Sequence, residues 1–128
     1  MFDAGKLTGF FDFYFAGNDK WLFDLAVALN DWCLSADQSG VNGLFNEQHA
    51  RQFIAAYEQV RPLSAAERQL LPAMLRAAAL RFWISRLWDF HLPREASVLK
   101  AHDPTHFERV LRQRVNAPVR LTSFSPSN

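Results

Sequence analysis

Apolar residues along most of this chain recur at three- and four-residue spacing, the period of helices with one buried face. Asn18 or Asp19 is placed to cap a first helix running to about Cys33. A polar loop from Ser35 to Gly43 follows, and Asn46 then caps a second helix. In that helix Ala50, Phe53, Ile54, Tyr57 and Val60 form the repeating stripe, and Arg61-Pro62 ends it. Ser64-Ala65-Ala66-Glu67 has the form of a capping box and opens a long third helix reaching about Phe90. Pro72 inside it predicts a kink, or a break with a new helix starting there. Apolar groups on nearly every face from Leu75 to Phe90 predict a helix central to the core, stopped by His91-Leu92-Pro93. Asp103-Pro104 marks the start of a last helix, with Pro at the first helical position. Phe107, Val110 and Leu111 are its expected buried stripe, and Arg109, Arg112 and Arg114 its wet face.

The N-terminal stretch departs from that period. Asp3-Ala4-Gly5-Lys6 reads as a tight hairpin turn leading into a strand from Leu7 to Phe11. Only Met1 and Phe2 precede the turn, so the partner strand is almost absent and the chain is expected to begin within a β-hairpin. Next comes Gly9-Phe10-Phe11-Asp12-Phe13-Tyr14-Phe15-Ala16, in which five aromatic side chains surround one carboxylate. A buried Asp12 needs a cation, a metal or several hydrogen-bond donors. The expected fold class is therefore mainly α, with a strand or hairpin remnant at 1–16, a helical region at 18–116 and a disordered tail at 122–128.

Composition narrows the function classes. A chain of 128 residues is one domain, and its formal net charge of +1 gives no electrostatic case for nucleic acid. Aromatics at 14% make the core or an interface ring-rich. A single cysteine, Cys33, excludes an internal disulfide framework and reads as a small buried hydrophobe in a reducing compartment. No apolar run approaches the roughly 20 residues of a membrane span, so the expectation is a soluble, cytoplasmic protein without membrane or nucleic-acid partners. His49, His91, His102 and His106 are too scattered for a zinc site, and the five glycines never reach a phosphate-loop spacing.

The remaining candidates are acidic and basic side chains on helices. Asp24 shares a helical face with Lys20 and Asp31, which reads either as a solvated stripe or as a functional one. Arg81 falls in line with Met74, Ala78, Ser85 and Trp88, where a guanidinium calls for an acidic partner or an anionic ligand.

These residues carry a resemblance. Gly9 to Asp19, then Phe23-Asp24-Leu25-Ala26 and Asn30-Asp31-Trp32-Cys33, resemble the homoserine kinases of the aminoglycoside-phosphotransferase-like type, within the protein-kinase-like superfamily. Arg81-Phe82-Trp83-Ile84-Ser85-Arg86-Leu87 and Asp89-Phe90-His91 resemble the same family further along. The resemblance implies the helical C-terminal subdomain of a protein-kinase-like fold. It implies ATP-dependent phosphorylation of L-homoserine, with Mg²⁺ and ATP, on the route to threonine. It assigns Asp12 to the metal, Asp24 to a buried role bracing the catalytic loop, and Asn30, Asp31 and Arg81 to a pocket for the amino-acid substrate.

The same family uses a His-x-Asp element followed by Asn, before the strand of Asp12, and nothing here matches it. The nucleotide-covering loop and phosphate-pairing lysine of the N-terminal lobe have no match either. Phosphoryl transfer needs all these parts together, so the chain by itself is expected to be inactive and to bind no cofactor tightly. Two other readings stand beside this one. The first is a non-catalytic helical interaction module, self-associating through its exposed edge. The second is a piece of a related choline or aminoglycoside kinase.

Overall fold

In α1 (Trp21–Trp32) the residues Leu22, Leu25, Ala26 and Leu29 follow helical spacing and all lie buried, with Cys33 extending the stripe past the helix end. This is one wall of the core. The computed structural model describes residues 1–10, 17–35, 43–92 and 103–119, and among these four helices follow a short hairpin. They are α1, α2 (Glu47–Val60), α3 (Ala65–His91) and α4 (Thr105–Asn116). The fold is mainly α. Helix α3 packs against both α1 and α4. Leu71, Leu75 and Ala78 of α3 meet the α1 stripe together with Ala50 and Ile54 of α2.

The hairpin closes as its turn chemistry requires. Strands β1 (Phe2–Asp3) and β2 (Lys6–Leu7) are antiparallel, with Phe2 opposite Leu7 and Asp3 opposite Lys6. Ala4 and Gly5 have φ of 45° and 76°, the positive pair that a two-residue hairpin turn needs. The Met1 carbonyl accepts a hydrogen bond from the Thr8 amide at 3.0 Å. Pairing stops at Leu7, and the expected strand does not continue through Thr8–Phe10. Residues 11–16, with Asp12 and most of the aromatic run, lie outside the described residues, as does the tail at 122–128.

Several helix boundaries differ from expectation for local reasons. Lys20, not Asn18 or Asp19, is the N-cap of α1, and no side chain caps it. The Asp19 carboxylate instead accepts from the Lys20 amide at 2.6 Å, one residue too early to reach the first turn. Pro104 sits at the N-cap of α4 rather than its first helical position, and Asp103 accepts from the Thr105 amide and hydroxyl. Asn46 caps α2 as expected, accepting from the His49 amide at 3.0 Å. Val60, assigned to the buried stripe of α2, is 89% exposed, because it lies at the helix's last residue, beyond the reach of the core.

Helix α3 runs unbroken through Pro72, so the alternative of a second helix start there is not realised. Leu71 and Leu75, completely buried on either side, hold the backbone through the missing hydrogen bond. The second half of α3 is not central to the core. Ala78 and Ala79 are buried, but Leu80, Ile84, Trp88 and Phe90 are each more than two-fifths exposed. Among the described residues α1 covers only the earlier turns. Helix α4 packs along α3, and the stack of Phe82 on Phe107 at 5.1 Å is one of the contacts that tie the later part to it.

The α2–α3 corner is a knot of short-range polar contacts. Ser64 and Glu67 form the full capping box, side chain to backbone in both directions. Arg61 donates to Glu67 at 2.6 Å and to the Tyr57 hydroxyl at 3.3 Å, while its guanidinium lies 5.7 Å from the Trp21 ring centre. Arg68 pairs with Glu58, whose carboxylate also accepts from the Leu63 amide. The Ser64 amide, then Arg61 and the Ser64 hydroxyl, hold the Glu67 carboxyl down from 4.5 to about 2. A depressed carboxyl contributes stability above its unfolded pKa and loses it as pH falls through the folded one. Stability should therefore decline between pH 4.5 and about 2. In Glu67→Gln that part of the decline should be absent, read by thermal melts at stepped pH. An identical acid profile in the variant would refute the assignment.

Candidate functional site

Helix α4 carries an arginine where the register demands a hydrophobe. Phe107, Val110 and Leu111 stand seven, four and three residues before Arg114, so position 114 shares their inward face. Arg114 is 2% exposed, contrary to the expectation of a wet face. Arg109 is half-buried and Arg112 is exposed. The charge of the residue type, set against the helical period, was the misleading signal.

Arg114 reaches across the molecule. Its Nε donates to Asn30 Oδ1 at 3.0 Å, and its Nη1 to the Gly43 carbonyl at 3.3 Å. The guanidinium carbon lies 4.4 Å from the centre of the Phe45 ring. Asn30 Nδ2 in turn donates to the Leu75 carbonyl at 2.7 Å, so one buried amide joins α1, α3 and α4. No carboxylate neutralises Arg114 among the described residues, and its Nη2 has no partner there. Burial lowers the Arg114 pKa to about 10, against a small upward pull from Cys33. Burial raises the pKa of the Cys33 thiol, offset in part by the same guanidinium. Gly43 completes the arrangement. Its φ is +59°, and a Cβ there would stand 2.9 Å from the Val110 amide nitrogen, so only glycine lets α4 approach this closely.

The clasp fixes the end of α1 beside a groove. Asp24, Val27, Ala28, Asp31 and Trp32 of α1 and Phe53 of α2 line an open groove of about 370 Å³, within the size range of small-molecule sites. Trp32 and Phe53 meet edge to face, with ring centres 6.4 Å apart and planes at 76°. The carboxylates of Asp24 and Asp31 are exposed on this one face, without hydrogen-bond or ion-pair partners among the described residues.

Of the residues singled out from the sequence, Asp24 and Asp31 are thus brought together, and Asp24 is exposed rather than buried, because it lies on the face of α1 opposite the leucine stripe. Asn30 is adjacent in the chain but turned inward, 1% exposed, with both ends of its amide engaged. Arg81 stands apart on α3. It is exposed, with its guanidinium 5.3 Å from the Phe82 ring centre and no ion pair among the described residues. Asp12 lies outside the described residues. Sequence reasoning missed Arg114, Gly43 and Phe53. The first could have been found from the register of α4.

Residues 1–63 match the model of a phosphotransferase enzyme family. A homoserine kinase of Polaromonas naphthalenivorans is 59% identical over 121 residues, which is 94% of this chain and 37% of that protein. Homoserine kinases of Cupriavidus pinatubonensis and a Janthinobacterium species are 61% and 56% identical, over 86% and 90% of the chain. The match to the phosphotransferase enzyme family covers 63 of the 128 residues. The chain is similar to homoserine kinases along nearly all its length and spans about a third of theirs. The groove lies within the matched residues, and Arg114 of the clasp lies beyond them.

Arg114→Ala should cost about 3 kcal/mol, because it leaves Asn30 Oδ1 and the Gly43 carbonyl buried without a donor and opens a cavity. Arg114→Met keeps the volume and removes the buried charge, so it should cost less. Urea denaturation of the three proteins gives the order, and an alanine variant as stable as the parent would rule out the clasp.

Proposed function

We propose that this chain is the C-terminal portion of a homoserine kinase and acts only with the remainder of that enzyme. In the complete protein the hydroxyl oxygen of L-homoserine attacks the γ-phosphorus of ATP. The bond to the β-phosphate bridging oxygen breaks, ADP leaves, and the hydroxyl proton passes to a base outside this chain. The observation that carries the reading is that relatives named homoserine kinase in several genera match 86–94% of the chain at 56–61% identity.

The residues take the following roles. Asp12 would hold Mg²⁺, since a carboxylate is a suitable ligand for a hard cation. Bound there, the ion would neutralise charge on the nucleotide phosphates. Asp24 braces the catalytic loop, and its carboxylate, exposed and without a partner among the described residues, is available to accept such donors. Asp31 faces the substrate ammonium from the same groove. Arg81, exposed and without an ion pair among the described residues, is available for the substrate carboxylate. Asn30 contributes by position, since both ends of its amide are already engaged.

The test joins this chain to the N-terminal two-thirds of the Polaromonas naphthalenivorans enzyme, whose matching part is 59% identical. The joined protein should phosphorylate homoserine with magnesium and ATP, and this chain alone should not. Arg81→Ala in the joined protein should raise the homoserine KM about tenfold with kcat changed less. A folded joined protein that leaves homoserine untouched would refute the proposal. Unchanged KM and kcat in the variant would remove Arg81 from the site.

A further inference from the structure

The groove holds two features that the roles above do not use. Trp32 is 63% exposed at the end of a helix that buries its leucines, and unlike Trp21, exposed at the other end, it lines the groove. Phe53 reaches it from α2, and the two rings form one continuous wall beside Asp31. Among the described residues no lysine or arginine lines the groove, and the charged side chains there are the carboxylates of Asp24 and Asp31. Its field favours a cation, and its walls favour a short aliphatic body.

From these observations we infer that Trp32 and Phe53 are specificity-determining residues, walling the subsite for the aliphatic chain of an amino alcohol whose ammonium pairs with Asp31. The inference rests on the kinase reading above and says which substrate length that kinase accepts. Asp24 and Asp31 are seven residues apart on α1, about 10 Å along the axis. A four-carbon amino alcohol is shorter than that, so with its ammonium at Asp31 its hydroxyl lies towards the Asp24 end. That is the end assigned to the catalytic loop. The rigid ring pair limits how far a longer chain can bend within the groove. The clasp of Arg114 on Asn30 keeps Trp32, two residues further on, at a fixed place in that wall.

The experiment uses the joined protein and two substrates, L-homoserine and its homologue longer by one methylene, 5-hydroxy-L-norvaline. A methylene in an apolar pocket is worth about tenfold or more in kcat/KM. Phe53→Ala and Trp32→Ala should each shrink the preference for homoserine about tenfold, through a raised homoserine KM and a lowered KM for the longer substrate. Val60→Ser, on the exposed end of α2, should keep the parent's preference. Trp32 is largely exposed, so its variant decides the matter should the half-buried Phe53 variant fail to fold. A preference unchanged within about twofold in Trp32→Ala overturns the inference while leaving the kinase reading intact. A folded, unsubstituted joined protein that phosphorylates neither substrate overturns both.

Discussion

The arrangement depends on one buried cation that meets no carboxylate among the described residues. Arg114 gives up hydration for two hydrogen bonds and an aromatic face, a poor exchange by charge alone. What it gains is geometry. A guanidinium is a flat fork, so Asn30, the Gly43 carbonyl and Phe45 can each be held at a defined angle by one side chain. Those three positions belong to α1 and the approach to α2, while the cation belongs to α4. Removing the fork would leave α4 held by its packing along α3, which includes the Phe82–Phe107 stack, but no longer tied to α1.

That constraint gives the groove its shape. The groove is formed where α2 brings Phe53 up to the end of α1, and the orientation of that end is fixed from behind by Asn30. Outward-facing Asp31 and inward-facing Asn30 are consecutive, so helical geometry turns a rigid interior contact into a rigid surface one. A carboxylate on a well-anchored helix is better placed to recognise a charged ligand than one on a loop. The similarity to homoserine kinases and the separate placement of Arg81 fit a site completed by a larger protein, since this chain spans about a third of its relatives' length.

Much of the fold was legible because its signals are local. The Ser64–Glu67 capping box, the Asn46 cap and the Asp3–Lys6 turn depend on residues a few positions apart, and all three are present. The misplaced residues share a different cause. Arg114 was assigned by residue type although its register with Phe107 and Val110 pointed inward. Trp88 and Phe90 in late α3 were placed in the core by apolarity, yet each is more than half exposed. Phe53 was recognisable as a stripe residue, but nothing in one sequence says that its ring meets Trp32. The pairing of Asp24 with Asp31 was legible, because seven residues make two helical turns.

The α2–α3 corner and the Arg114 clasp also differ in the length of chain that each closes. Corner partners lie three to ten residues apart, whereas the clasp joins residues separated by 71 and 84. Closing the longer loop costs more chain entropy, roughly 0.6 kcal/mol for every doubling of length. When α4 detaches, Asn30 loses its acceptor role at once, yet every contact of the corner survives. The molecule thus opens first along the α4 seam, while α1, α2 and α3 stay joined through one shared hydrophobic cluster. What α1 loses there is not its packing but the one polar contact that pins its far end, beside the groove.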